Sequence, residues 1–464
     1  MFHDYGMEGI WELSRVTSLP VQTVARVSPG TGISAMQMVT ALRNNILIPW
    51  HKQQAEYEKT ALDLLNSDRG GLVYLPTAGL HHDVAEIDFI SMYPSIMTRF
   101  NISPETVLWK QPETIQAEGK DVLQEEPGLI PLTLKPLLEK RVELKHRLAG
   151  LSRWDMRYSV YKARITAHKW LLVTCFGYLG YKNARFGRIE AHEAVTAYGR
   201  EALLRAKEAA EDMGYSVLHM YVDGLWIYQK EKNKVADIQP LLEEIVCRTG
   251  LPISLDGIYR WLVFMPSRIN PHVSVANRYF GVFQDGSLKM RGIETRRHDT
   301  PPFINETQIE ILKVLSQSKS GSELSELLPQ AIAIFRQRMK DLKIGIIPME
   351  KLVITLRVSR ELQEYRTLSP AARALSQLQD VGKTLKPGQS VRFVYTLGKP
   401  DVHAWGLPDS LPYQRIDIPR YVELLSRAAR TILEPLCKGI GISEQLISGS
   451  EYYQPDWFEE LGIR

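Results

Sequence analysis

Two aspartates stand where short apolar runs give way to polar residues. Asp88 ends the strand-like run VAEID just before SMYPSI, and Asp223 lies in the Asp-Gly pair of SVLHMYVDGLWIYQ. From such positions a short carboxylate can leave an apolar strand and face a cleft. Carboxylates brought in from separated segments suit divalent metals that clamp the attacking and leaving oxygens of a phosphoryl transfer, about 4 Å apart. Asp-Gly is also a common turn, so Asp223 alone reads equally well as a turn residue. Phosphoryl transfer also needs cations on the phosphates. Arg141 and Lys145 are four apart and share one helix face. Lys169 follows on the next helical segment. Together they could grip a triphosphate, with Arg141 offering a bidentate fork. A solvated charged face explains the same pattern. His81-His82-Asp83 hints at a metal, and a loop between strands accounts for it as well.

The elements that must position these residues follow from periodicity. Segment 36–66 reads as a helix, broken by Gly70-Gly71, and LVYLP and VAEIDFI read as strands. A helix is expected over 131–148, with Leu137, Leu138, Val142, Leu144 and Leu148 turned inward. A polar turn at 152–155 leads to a second helix over 158–174, so the two form an antiparallel helical hairpin. A third helix is expected over 192–213. Asp-Gly pairs predict β-hairpins around 223–224 and, within 276–294, at 285–286. After Pro301-Pro302 the pattern is mostly helical, with one strand-like stretch, VRFVYTLG. That shift makes Pro301 the expected domain boundary.

Composition bounds these readings. The chain has 464 residues, 44% of them hydrophobic, enough for roughly three domains. No apolar run approaches a membrane span, and the start lacks a basic region followed by an apolar stretch. Three cysteines without CxxC spacing exclude a disulfide framework and a cysteine zinc site, and fit a reducing cytoplasm. No membrane partner is expected. A formal net charge of +4 permits nucleic acid without pointing to it.

Several segments, in order, resemble the motifs of family B DNA polymerases. DFISMYPSI (88–96) resembles the first polymerase motif, and GLIPLTLKPLLEKRVELK (128–145) the first fingers helix. KWLLVTCFGYLGYKNARFG (169–187) is similar to the fingers motif, and GYSVLHMYVDGLWIY (214–228) to the third motif. RYFGVFQDGSLKMRGIETRRHD (278–299) resembles the palm segment at the primer, and KPGQSVRFVYTLG (386–398) a thumb segment. The resemblance implies an α+β right-hand polymerase fold: an antiparallel-sheet palm (31–127 and 185–300), helical-hairpin fingers (128–184) and a mostly helical thumb (301–464). It implies template-directed DNA synthesis from dNTPs on primer-template DNA, with Mg2+ held by Asp88 and Asp223 and Mn2+ as a substitute. Phe89, Ser91, Arg141, Lys145 and Lys169 then face the triphosphate. Tyr93 packs under the incoming sugar and excludes a 2′-hydroxyl. Arg278 and Tyr279 contact the primer.

Departures from the family pattern temper the expected activity. Laid without a gap, the usual Asp-Thr-Asp-Gly becomes Tyr221-Val222-Asp223-Gly224, which keeps the second Asp; a gapped alignment would put Leu225 there and remove catalysis. The fingers Asn-Ser-x-Tyr becomes Val173-Thr174-Cys175-Phe176, and Val173 has no polar group for a phosphate. A Lys-Lys pair near the primer becomes Ala276-Asn277. The implied enzyme is slow. The alternative is an inactive polymerase-like subunit that binds DNA as a scaffold. Residues 1–30 resemble the end of an exonuclease domain whose carboxylates are missing save Asp4, so proofreading is expected to be absent or supplied by a separate exonuclease or accessory chain. Gly70-Gly71 fits a template-binding turn of the family or any loop. The aromatic run at 452–458 is spaced wrongly for a sliding-clamp peptide and is expected to pack on the thumb.

Overall fold

The computed structural model describes residues 2–50, 59–62, 69–107, 126–229, 237–267, 269–270, 273–319, 321–409 and 411–439; the aromatic run at 452–458 and the side chain of Asp4 lie outside what is described. The chain forms two compact units, Met1–Tyr74 with Glu86–Asp256, and Leu75–Ala85 with Gly257–Arg464.

The first unit opens with helices α1 (Phe2–Thr17), α2 (Val21–Val24) and α3 (Pro29–Arg43). Helix α3 ends at Arg43, which interrupts the expected helix over 36–66; of that segment, 51–58 and 63–66 lie outside the described residues. Two consecutive asparagines end α3, with Asn45 in the left-handed region (φ 54°) and the Ile46 N–H returning to the Ala41 carbonyl at 2.8 Å. Strand β1 (Val73–Tyr74), the end of strand β2 (Gly79–Phe89) and helix α4 (Met92–Arg99) follow. The helical hairpin is present as α5 (Leu129–Ala149) and α6 (Met156–Leu179). Asp155 caps α6 by accepting the Arg157 N–H at 2.8 Å. Leu137 and Leu144 on α5 and Leu171, Leu172 and Leu179 on α6 are buried, whereas Val142, expected inside, is 39% exposed. Helix α7 (Ile189–Asp212) lines its inner face with Ala194, Ala202, Ala206 and Ala210, small residues that let it lie close to its neighbours. Strands β3 (Ser216–Tyr221) and β4 (Gly224–Tyr228) form the expected hairpin, and α8 (Gln239–Thr249) leads to β5 (Ile253–Pro266).

In the first unit the strand order is β1-β3-β4-β2-β5; in the second it is β2-β5-β6-β7, with β6 (Ser274–Phe283) and β7 (Leu288–Arg291) antiparallel. The Asp285 carboxylate tightens the β6–β7 turn by accepting the Ser287 N–H at 2.8 Å, with Gly286 at φ 85°. Helices α9 (Pro302–Leu315), α10 (Gly321–Lys343) and α12 (Ile418–Gly439) share one core with this sheet, built on Trp261, Phe280, Phe303, Phe335 and Tyr421. The stretch VRFVYTLG is not isolated: β9 (Ser390–Tyr395) is the middle strand between β8 (Ile354–Arg357) and β10 (Val402–Ala404), backed by α11 (Pro370–Asp380). Among the described residues, no helix is long and apolar enough to cross a membrane.

Candidate active site

Asp88 and Asp223 are brought to adjoining strand ends of the first unit. The Phe89 N–H donates to the Asp223 carbonyl at 2.9 Å, and the Ile90 N–H to the Pro252 carbonyl at 2.8 Å. These bonds tie the end of β2 to the β3–β4 turn on one side and to the start of β5 on the other. Gly224 begins β4 beside Asp88: a Cβ there would stand 3.4 Å from Asp88 Oδ1. Both aspartates are half-buried, while Leu225 is fully buried. Phe89, expected on the triphosphate side, has its ring in the core and its N–H committed to Asp223. Its part is to hold the two aspartate-bearing segments together.

The turn differs in detail from a simple Asp-Gly hairpin. Tyr221 pairs with Gly224, so the two turn residues are Val222 and Asp223, and Val222 adopts φ 59°. A β-branched residue in the left-handed region is strained, at a cost of about 1–2 kcal/mol. The surroundings impose it. The Val222 N–H donates to the Leu72 carbonyl at 2.9 Å, and Val73 pairs with Tyr221. Gly71 lies so close that a Cβ would meet the Val222 methyls at 3.0 and 3.1 Å and the Tyr93 hydroxyl at 3.3 Å. The glycine pair thus serves a close approach, and its neighbour Gly70 accepts from Arg200 at 2.8 Å.

The cations of the helical hairpin gather on the same side. Arg141 is buried (9% exposed) and donates to the Ser91 hydroxyl at 2.7 Å, while its Nε has no hydrogen-bond partner. Ser91 itself sits in the left-handed region (φ 50°) as the residue before α4. Burial draws the Arg141 pKa down. The Lys145 pKa is lowered too, by burial first and then by repulsion from Arg141 and Lys169, against the pull of Asp256 and Asp88. Four charged side chains therefore act on Lys145, and of these Lys169 is exposed. Asp256, in β5, is not singled out by the sequence: its Asp-Gly pair lies inside a strand and not at a hairpin turn, and only the fold brings it near Lys145. Val173 is 52% exposed one turn beyond Lys169 on α6.

Tyr93 stands between the two parts. Its ring contacts Phe176 of α6 (centroids 4.3 Å apart), and Phe176 stacks on His192 of α7 at 4.1 Å. Gly199 leaves the space below it: a Cβ there would lie 3.0 Å from the ring. In the second unit, Arg278 of β6 donates to Thr431 Oγ1 of α12 at 3.4 Å. Tyr279 is buried against Phe264. His81 and His82 lie within β2, not in a loop, and contact the backbone carbonyls of Thr77 and Arg260 at 2.8 and 3.3 Å. Among the described residues, no group of three or more His, Cys, Asp or Glu side chains could hold a metal.

An antiparallel sheet carrying two strand-end carboxylates beside a cationic helical hairpin is an arrangement suited to phosphoryl transfer. The chain belongs to DNA polymerase family B, whose sequence profile matches residues 20–239 and 273–431. It is 31% identical over 323 residues to DNA polymerase 2 of Saccharolobus solfataricus, covering 69% of this chain and 47% of that protein. To DNA polymerase 2 of Aeropyrum pernix it is 26% identical over 447 residues, 94% of this chain and 52% of that one. The family B DNA polymerase from the hyperthermophilic archaeon Pyrobaculum calidifontis superposes with a TM-score of 0.61 at 26% identity, covering 92% of this chain and 54% of that structure. The fold is therefore the polymerase fold. The chain spans about half the length of the curated relatives it matches.

Proposed function

We propose that this chain extends a DNA primer along a template, adding dNTPs by phosphoryl transfer at Asp88 and Asp223. The observation that carries the reading is the Phe89–Asp223 backbone bond, which sets the two carboxylate-bearing segments side by side next to Arg141, Lys145 and Lys169. Two hard oxygen donors fit magnesium, which is held by one or two carboxylates plus substrate phosphates and keeps its remaining waters. When bound, such ions polarise the phosphoryl oxygens and neutralise charge that develops on them. The protein's own groups do the rest. Lys145 and Lys169 bind the triphosphate, Arg141 braces Ser91 at its edge, and Tyr93, backed by Phe176 and Gly199, forms the wall that excludes a ribose hydroxyl. Arg278 holds the primer strand.

Val173 brings no polar group, and Tyr221 no carboxylate, to places where the resemblance implies Asn and Asp, so turnover is slow and the KM for dNTPs high. Manganese, with less strict geometry than magnesium, relieves part of the defect. Primer extension with each metal tests this. The wild-type chain is expected to extend, faster with manganese, and Asp88→Ala to lose extension while primer-template affinity stays within about twofold. DNA binding without extension under either metal would instead mean a polymerase-like scaffold.

A further inference from the structure

A buried carboxylate–imidazole pair, flanked by two arginines that are more exposed, joins α1 to α6. The Glu12 side chain is 2% exposed and that of His168 1%. His168 Nε2 donates to Glu12 Oε1 at 2.7 Å, and Arg15 donates to the same carboxylate from Nε (3.0 Å) and Nη2 (2.6 Å). Arg164 Nε lies 3.6 Å from Oε2. Burial alone would raise the Glu12 pKa, but the hydrogen bonds from His168 and Arg15 outweigh it and hold the carboxyl at about 2. His168 Nδ1 has no hydrogen-bond partner, so the imidazole is held on α6 through Nε2 alone. A buried charge is tolerated only when paired, which makes this contact far more specific in angle and depth than the apolar packing around it.

His168 directly precedes Lys169. Successive helical residues point about 100° apart, so fixing one fixes the direction of the next. We propose that Glu12 is a positioning residue for the incoming nucleotide: by anchoring His168 it sets the rotation of α6, and so the place of Lys169 against the triphosphate. The inference rests on the nucleotide-binding role given to Lys169 above. A lysine ammonium stands about 8 Å from its helix axis, and a rotation of about 20° would carry it about 3 Å, enough to lose a charge-assisted bond. Glu12 is buried against His168, so its effect on the nucleotide runs through α6.

The test is equilibrium binding of a dNTP to the full chain on a primer ending in a dideoxynucleotide, which needs no turnover. Glu12→Ala is expected to weaken dNTP binding about tenfold while primer-template affinity changes less than about twofold. Glu12→Gln, which keeps a hydrogen-bonding oxygen in place, is expected to recover part of the loss. The deciding measurement is the pair with Lys169→Ala. If Glu12 acts through Lys169, adding Glu12→Ala to Lys169→Ala costs little more, whereas a merely structural Glu12 gives the same loss in both backgrounds. Additive losses, or undiminished dNTP affinity in folded Glu12→Ala, overturn the proposal. A wild-type chain that binds dNTP yet never extends a primer overturns the polymerase reading and leaves this test standing. One that binds no dNTP overturns both.

Discussion

At the scale of single residues, the site joins family features with local losses that can be probed one at a time. Val173 is the clearest. It is half-exposed on α6 one turn from Lys169, so a polar side chain there meets solvent rather than a core and replaces no packing of consequence. A hydrogen bond to a charged group is worth about 1.5–3 kcal/mol, or one to two decades of affinity. Val173→Asn is therefore expected to lower the KM for dNTPs by about tenfold or more with little change in melting temperature. An unchanged KM would show that the triphosphate does not reach this turn of α6. The strained Val222 makes a related point about what residue types disclose. Asp-Gly at 223–224 signals a hairpin, and the hairpin is there, yet the left-handed position falls on the valine before the pair. The Leu72 carbonyl and Gly71, about 150 residues upstream, hold the turn in that form. No local rule could have found this.

At the scale of elements, the long helices and the two hairpins were legible because each carries its own period or turn chemistry. The failures have equally physical causes. Strand β5 runs straight through the Asp256-Gly257 pair, which by residue type reads as a turn, and β8 and β10 are too short to show alternation. Val142 fits a helical stripe but lies on the open side of α5. The Glu12–His168 pair spans 156 residues, and nothing in α1 announces a buried carboxylate. That pair has a thermodynamic signature. The Glu12 pKa falls on folding from an ordinary 4.5 to about 2. A depressed carboxylate contributes stability that is fully present above its unfolded pKa and is lost as pH falls through its folded one. The window is thus about pH 4.5 down to about pH 2. Urea midpoints should separate wild type from Glu12→Gln widely at pH 7 and much less near pH 2. A gap that stays constant across this window would mean that the carboxylate charge contributes nothing to the α1–α6 contact.

At the scale of the whole molecule, charge decides how DNA binding should respond to salt. The chain has 57 Lys and Arg against 53 Asp and Glu, so its excess charge is too small to draw in a duplex by itself. Affinity must come from a few placed cations, each of which releases counterions when it meets a phosphate. Arg278 is one such group on the proposed reading. It is half-buried on β6, where it donates to Thr431 Oγ1 of α12 at 3.4 Å. Tyr279 differs: it is buried against Phe264, and its contribution is to the sheet. On the same proposed reading, Lys169 and Lys145 meet the nucleotide. Plots of log affinity against log salt for a primer-template should therefore be linear, and Arg278→Ala should reduce the slope by about one while weakening all sequences alike. Lys169→Ala should leave that slope unchanged although it impairs dNTP binding. If Lys169→Ala flattens the salt dependence as much as Arg278→Ala does, the fingers cations are serving the DNA backbone, and the division of labour between the triphosphate and the primer drawn here is wrong.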